Sequence, residues 1–163
     1  MKRILVSACL MGRPVRYDGS ARTLFDDQFE SWRAEGRLVS FCPEVAAGMP
    51  TPRPPAEIAP GVTASDVLWG PGAVADMHGT DVTAAFVNGA QLAVQEAQRS
   101  GCRWALLTDG SPSCGTSFVY SGRFDGARRD GRGVVAEALL ARGVGVFAPS
   151  EIARLAQAVE SDA

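Results

Sequence analysis

The chain has 163 residues, of which 46% are hydrophobic and 21% are charged, and its formal net charge is −2. This length and composition are typical of one folded domain, expected over residues 1–163, and they exclude a largely disordered chain. The acidic balance argues against broad nucleic-acid binding, and because there is no long apolar run and no targeting pattern at the N-terminus, we expect a cytoplasmic protein without a membrane span.

Strand-like and helix-like segments alternate along the chain. In chain order we predict a strand at 3–8, a helix at 25–35, a strand at 37–41, a helix at 82–100, a strand at 103–108, a helix at 133–142, a strand at 144–147 and a helix at 150–160. In the first helix, Phe25, Phe29 and Trp32 are expected to share one face. This alternation is typical of α/β proteins. We therefore predict a single-domain, Rossmann-like three-layer sandwich with a mainly parallel sheet.

The segments between these elements have weaker patterns. Residues 43–60 contain six prolines, a density that neither a helix nor a central strand tolerates. We predict a rigid functional loop there, and a surface linker is the alternative. We also expect short strands near 67–68 and at 117–120, and a mobile loop over 121–132.

Three of the four cysteines follow predicted strands. Cys9 and Cys42 come directly after the first two strands, and Cys114 lies six residues past the third. The carboxyl ends of parallel strands meet at one edge of a sheet, where ligands bind, so we expect these cysteines to converge. Cys102 lies at the opposite end of the third strand, roughly 20 Å away. We interpret Cys102 as a small buried hydrophobe outside the site.

Three converging cysteines have several possible uses. A structural zinc site needs a fourth ligand, and the only histidine, His78, lies in an unpatterned segment. A catalytic cysteine with a resolving partner is a second use. A metal-free thiol hydrolase or transferase with one cysteine nucleophile needs a nearby base, and a single histidine far away in sequence makes it a weak alternative. A [4Fe–4S] cluster held by three cysteines leaves one iron open to substrate. Three unrelated buried thiols are the remaining alternative. The tight loop around Cys114 and the carboxylate of Glu44, close to Cys42, favour the cluster.

Four sequence motifs carry a resemblance to a known family. They are VSACL at 6–10, CPE at 42–44, the proline-rich GMPTPRPPAEI at 48–58 and SPSCG at 111–115. Together they resemble the DUF523 family, whose characterised members are thiouracil desulfidases. The likeness extends over nearly the whole chain.

The resemblance implies a [4Fe–4S] cluster held by Cys9, Cys42 and Cys114, with a [4Fe–5S] intermediate. It implies conversion of 4-thiouracil-type bases, nucleosides or nucleotides, such as 4-thiouracil or 4-thio-UMP, to the uracil form. Hydrogen sulfide is released, and no net redox change is needed. The carboxylate and the serine that assist catalysis in the family correspond to Glu44 and Ser111.

Substrate contacts are expected from Ser113, Arg53 and Arg16, and which of Ser111 and Ser113 faces the substrate is open. Arg16, Arg53, Arg22 and Arg123 are candidates to bind a 5′-phosphate. Some relatives have a further C-terminal domain and are linked to thiolated tRNA, whereas for this chain we expect a small thiolated pyrimidine and not tRNA. The expected state is a monomer or weak homodimer. The alternative function is an Fe–S or zinc-containing nucleotide-binding module without turnover.

Overall fold

The computed structural model describes residues 1–162, and residue 163, the last of the expected domain, lies outside the described residues. The strands are β1 (Ile4–Ser7), β2 (Leu38–Phe41), β3 (Ala56–Ile58), β4 (Val74–Asp76), β5 (Trp104–Leu106), β6 (Phe118–Tyr120), β7 (Arg128–Asp130) and β8 (Gly145–Phe147). The helices are α1 (Asp27–Ala34), α2 (Pro43–Ala46), α3 (Ala64–Trp69), α4 (Thr83–Ser100), α5 (Val134–Ala141) and α6 (Ile152–Ser161). Short 3-10 helices occupy Ala8–Met11 and Pro149–Glu151.

Four parallel strands form the central sheet in the order β2-β1-β5-β8. The chain runs from β1 to β2 on one side and then crosses to β5 on the other, so the strand order reverses between β1 and β5. Because all the strand pairs of this sheet are parallel, the prediction of a mainly parallel α/β sheet is confirmed. The reversal of strand order opens a crevice at the carboxyl ends of β1 and β5, and this is where α/β proteins bind ligands.

Helices cover both faces of this sheet. Alternate residues of a strand point to opposite faces, so Leu5 packs in one core cluster and Ile4 and Val6 in the other. The first cluster includes side chains of α3, α4 and α5, and the second includes side chains of α1 and α6. Burial of each large apolar side chain stabilises the fold by roughly 1.5–3 kcal/mol. The predicted three-layer arrangement is confirmed.

Two small antiparallel sheets stand beside the central one. Strand β3 pairs with β4, and β6 pairs with β7. Contacts between β3 and β6 join the two small sheets. Because Glu57 of β3 and Tyr120 of β6 line the cavity described below, these small sheets form part of its wall.

Several short elements differ from the predictions. Residues 43–60 are not one loop, since they contain α2, which begins with Pro43 at its first turn, and β3. Residues 67–68 lie in helix α3, which Thr63 and Asp66 start with reciprocal side-chain to backbone hydrogen bonds of 3.1 and 2.9 Å. The segment predicted as a mobile loop at 121–132 contains β7.

The start of α1 also differs from its prediction. Phe25 precedes the helix and is 89% exposed, whereas Phe29 and Trp32 are buried. The side chain of Asp26 accepts a hydrogen bond from the Phe29 N–H at 3.0 Å and caps the helix. The helix therefore begins after Phe25, which cannot join its buried face. Within residues 1–162, none of the helices has the length and apolar character needed to cross a membrane.

Candidate active site

A cavity of about 470 Å³ lies at the carboxyl ends of the central strands. Cys9, Cys42 and Cys114 all line it. Cys9 belongs to the 3-10 helix after β1, Cys42 precedes α2 directly after β2, and Cys114 lies in the loop after β5. Cys102 is buried next to the end of α4 and does not line this cavity. The topological switch thus brings together three thiols that are far apart in sequence.

Burial has the largest effect on the pKa values of these three thiols. It raises the pKa of Cys9, of Cys42 and, most strongly, of Cys114. Repulsion between the thiolates adds to the upward shift at Cys114 and Cys9, and the Glu44 carboxylate adds to it at Cys114 and Cys42. By contrast, the pKa of Cys102 is raised to about 11 by burial and by Glu96, outside this group. Binding a metal centre at the cavity therefore requires the three thiols to give up protons.

Hydroxyl groups and backbone N–H groups oppose these upward shifts. Hydrogen bonds with Thr108 and Ser7 lower the pKa of Cys9 and Cys114, respectively. Ser7 and Thr108 are both buried, and the Ser7 Oγ accepts the Thr108 N–H at 3.0 Å. Such hydrogen bonds stabilise thiolate ligands and orient them. Neither residue was predicted as part of the site, although each is a hydroxyl residue at the end of a buried apolar strand.

Glu44 is held from two sides by buried partners. Its Oε1 accepts from the Arg53 Nε at 3.0 Å, and its Oε2 accepts from the Ser113 Oγ at 3.0 Å. Ser113 is only 1% exposed and does not line the cavity, whereas Glu44 does. The pairing orients the carboxylate and leaves further lone pairs free to accept a proton or a hydrogen bond.

Arg53 is itself fixed by the proline-rich segment. Its guanidinium donates to Pro50 O and Thr51 Oγ1, both at 3.1 Å, and to Val15 O at 2.9 Å, in addition to Glu44. The side chain is 4% exposed. Four of the five guanidinium N–H groups are thus used inside the protein, which leaves one for a ligand. The main structural effect of Arg53 is to hold Glu44.

Ser111 lines the cavity, and its hydroxyl donates to no acceptor among residues 1–162. Its Oγ accepts the backbone N–H groups of Ser113 and Cys114 at 3.0 and 3.2 Å. These bonds use the oxygen lone pairs, so the O–H remains to donate into the cavity. They also fix the loop that carries Cys114.

Two further arginines line the cavity. Arg22 donates from Nη1 to the Asp109 carbonyl at 3.2 Å, and Arg16 lies over the Tyr17 ring at 5.8 Å. The positive charges of both arginines lower the pKa of Cys9. Arg123 does not line the cavity, and His78 is exposed and also lies outside it.

The donor set of the cavity suits a cluster. Among residues 1–162, no three His, Cys, Asp or Glu side chains are placed to hold a single metal ion. In a [4Fe–4S] cluster each cysteine binds a different iron, so its ligands surround the cluster and do not meet at one point. Three thiols around one cavity, with adjacent hydrogen-bond donors, fit that requirement.

The fold and the site define a class: a parallel α/β protein with a cysteine-lined ligand cavity at its topological switch point. A family model described as 2-thiouracil desulfurase matches residues 4–151, and the chain belongs to this family. It is 38% identical over 149 residues to the uncharacterised protein YbbK of Bacillus subtilis strain 168, with 91% of this chain and 97% of YbbK covered. The solved structure of a [4Fe–4S]-dependent thiouracil desulfidase, TudS, matches with a TM-score of 0.89 and 42% identity, over 98% of this chain and 99% of that chain.

Proposed function

We propose that this protein is a [4Fe–4S]-dependent desulfidase that hydrolyses 4-thiouracil-type bases, nucleosides or nucleotides to the uracil form. The observation that carries the proposal is the convergence of Cys9, Cys42 and Cys114 on one cavity that Glu44 also lines. The similarity to a [4Fe–4S]-dependent thiouracil desulfidase supports the cofactor and the reaction class. The cavity volume of about 470 Å³ suits a small-molecule ligand.

In the proposed reaction, water replaces sulfur at the thiocarbonyl carbon. The C=S bond and both O–H bonds of the water break, a C=O bond and two S–H bonds form, and the sulfur leaves as hydrogen sulfide. No electron donor is needed. A cluster held by the three cysteines supplies a free iron that acts as a Lewis acid toward the sulfur.

The protein's own groups handle the protons. Three carboxylates line the cavity, and Glu57 and Asp109 accept backbone N–H groups of the loops. Glu44 is instead held by the side chains of Arg53 and Ser113, and it takes a proton from the attacking water. Ser111 donates its free O–H to the ring or to the oxygen that forms, since its oxygen already accepts two N–H groups. We therefore assign Arg53 and Ser113 as positioning residues for Glu44.

For a nucleotide substrate, we assign the phosphate to Arg16 and Arg22. Both line the cavity, and neither forms an ion pair with a carboxylate among residues 1–162. A guanidinium binds phosphate through paired hydrogen bonds. We also propose that the substrate is a small thiolated pyrimidine and not tRNA. The proposed oligomeric state is a monomer or weak homodimer.

The test is anaerobic reconstitution with iron and sulfide, followed by iron and zinc analysis and by 4-thiouracil turnover at the thiocarbonyl absorbance. Wild type is expected to bind iron and to release hydrogen sulfide. Cys9→Ala, Cys42→Ala and Cys114→Ala are expected to lose iron and activity, and the matched control Cys102→Ala to keep both.

Two further variants separate turnover from cofactor binding. For Glu44→Gln and Ser111→Ala, kcat is expressed per bound cluster, because Ser111 also holds the loop that carries Cys114, and it is expected to fall by roughly 100-fold or more. If wild type holds iron or zinc and binds nucleotides but never releases sulfide, the protein is a binding module and the enzyme proposal is overturned. If wild type takes up no iron, the cluster assignment is overturned.

A further inference from the structure

One residue at the edge of the cavity has an unusual backbone. Phe124 has a φ of 55° and is the one non-glycine residue with a positive φ among residues 1–162. This left-handed conformation is sterically unfavourable for a bulky side chain, so it persists only where the surrounding structure imposes it. Strained backbone of this kind concentrates at ligand-binding positions.

The surrounding structure does impose it, through Glu57 of β3. The Glu57 Oε1 accepts the backbone N–H groups of Gly122 and Phe124 at 2.7 and 3.3 Å. Gly122 allows this close approach, because a Cβ there would lie 2.5 Å from the Ile58 carbonyl oxygen. The Ser121 and Asp125 side chains close the turn with a 2.7 Å hydrogen bond. Residues 121–127, here named the hairpin tip, are therefore fastened to the wall of the cavity.

The result is a partly exposed aromatic ring at the cavity. Phe124 lines the cavity and remains 38% exposed. Tyr17 and Met77, which are 39% and 54% exposed, line the same cavity. Large apolar side chains around a cavity mouth are typical of sites that bind flat, partly apolar ligands.

We propose that the Phe124 ring stacks on the pyrimidine ring of the substrate and that Glu57 is the positioning residue that holds it there. This inference rests on the proposed function and adds a substrate-selecting residue to it. Stacking contacts the ring equally before and during the reaction, so it contributes to binding and not to the chemical step. A pyrimidine offers a π-face whatever atom it carries at position 4, so Phe124 selects planar rings and not the sulfur.

The experiment compares KM and kcat for 4-thiouracil in reconstituted wild type and in Phe124 variants, together with calorimetric binding of uracil. Phe124→Ala is expected to raise KM and to weaken uracil binding about tenfold, with kcat within about twofold of wild type. Phe124→Tyr is expected to restore wild-type values. Phe25→Ala removes an equally large ring that is 89% exposed and outside the cavity, and it should change nothing.

The role of Glu57 is tested in the same assays. Glu57→Ala removes the acceptor of the two N–H groups and is expected to raise KM as Phe124→Ala does. Glu57→Gln keeps a carbonyl acceptor and should stay within about twofold of wild type. If wild type turns over 4-thiouracil and Phe124→Ala leaves KM and uracil binding unchanged, the stacking assignment alone is overturned. If wild type neither converts 4-thiouracil nor binds uracil, the proposed function and this inference both fail.

Discussion

The buried ion pair between Arg53 and Glu44 makes the strongest quantitative prediction. Arg53→Ala removes a side chain that is 4% exposed and donates four hydrogen bonds. Glu44, whose side chain is 16% exposed, is left without its cation. Breaking one partner of a buried pair costs about 3–5 kcal/mol. For a chain of this size, where 1 kcal/mol corresponds to roughly 2–4 °C, we expect Tm to fall by on the order of 10 °C.

The assay is urea and thermal unfolding of the metal-free protein, with Arg99→Ala as the matched control. Arg99 also pairs with a glutamate, Glu96, at 2.6 Å, but its side chain is 76% exposed. An exposed pair contributes only about 0–1 kcal/mol. If Arg53→Ala costs no more free energy of unfolding than Arg99→Ala, burial and the hydrogen bonds of Arg53 do not stabilise the fold as argued.

Three further predictions follow from single contacts. Ser7→Ala removes the hydroxyl that lowers the pKa of Cys114, so a reconstituted cluster should bleach several-fold faster in air, measured by its visible absorbance. Burial raises the pKa of Asp109, but hydrogen bonds from the Ser117 hydroxyl and from backbone N–H groups outweigh it and hold the pKa below 3.8. Ionised Asp109 therefore stabilises the fold above about pH 4, and this stabilisation is lost as the pH falls through the pKa that Asp109 has in the folded protein. In Asp109→Asn, the free energy of unfolding in urea should fall less steeply as the pH is lowered. Replacing glycine by alanine would normally favour a helix, but the Cβ of Gly89→Ala would lie 2.8 Å from the Pro43 carbonyl oxygen. The free energy of unfolding should therefore fall by about 1–3 kcal/mol.

Each of these predictions has a result that contradicts it. Equal bleaching rates for Ser7→Ala and wild type would remove Ser7 from the support of the thiolates. An unchanged acid limb in Asp109→Asn would mean that other carboxylates govern acid unfolding. A Gly89→Ala variant as stable as wild type would show that α2 moves away from α4 without cost.

Elements with long or strongly apolar patterns were predictable, and short ones were not. The predicted helix at 82–100 is observed as α4 at Thr83–Ser100. It was predictable because a helix of about five turns is long enough for the 3.6-residue spacing of its apolar residues to be recognised. Helix α3 has six residues, which is too few for a period. Its start was nevertheless readable from the capping pair Thr63 and Asp66. The three-residue strands β3 and β7 owe their structure to antiparallel pairing with β4 and β6, which a local pattern does not reveal.

The site shows the same division between local pattern and tertiary context. The alternation of strand-like and helix-like segments predicted that Cys9, Cys42 and Cys114 follow parallel strands that share a sheet edge, and the observed topology brings them to one cavity. The sequence pattern did not show that Ser113, predicted to bind substrate, is instead buried against Glu44, 69 residues away. Nor did it show that Glu57 holds the hairpin tip, across 65 residues to Gly122. The alternation of strands and helices determines which chain segments meet at the edge of the sheet. Which side chains then pair is decided by distances of a few ångströms between loops, and only the packed tertiary structure sets those distances.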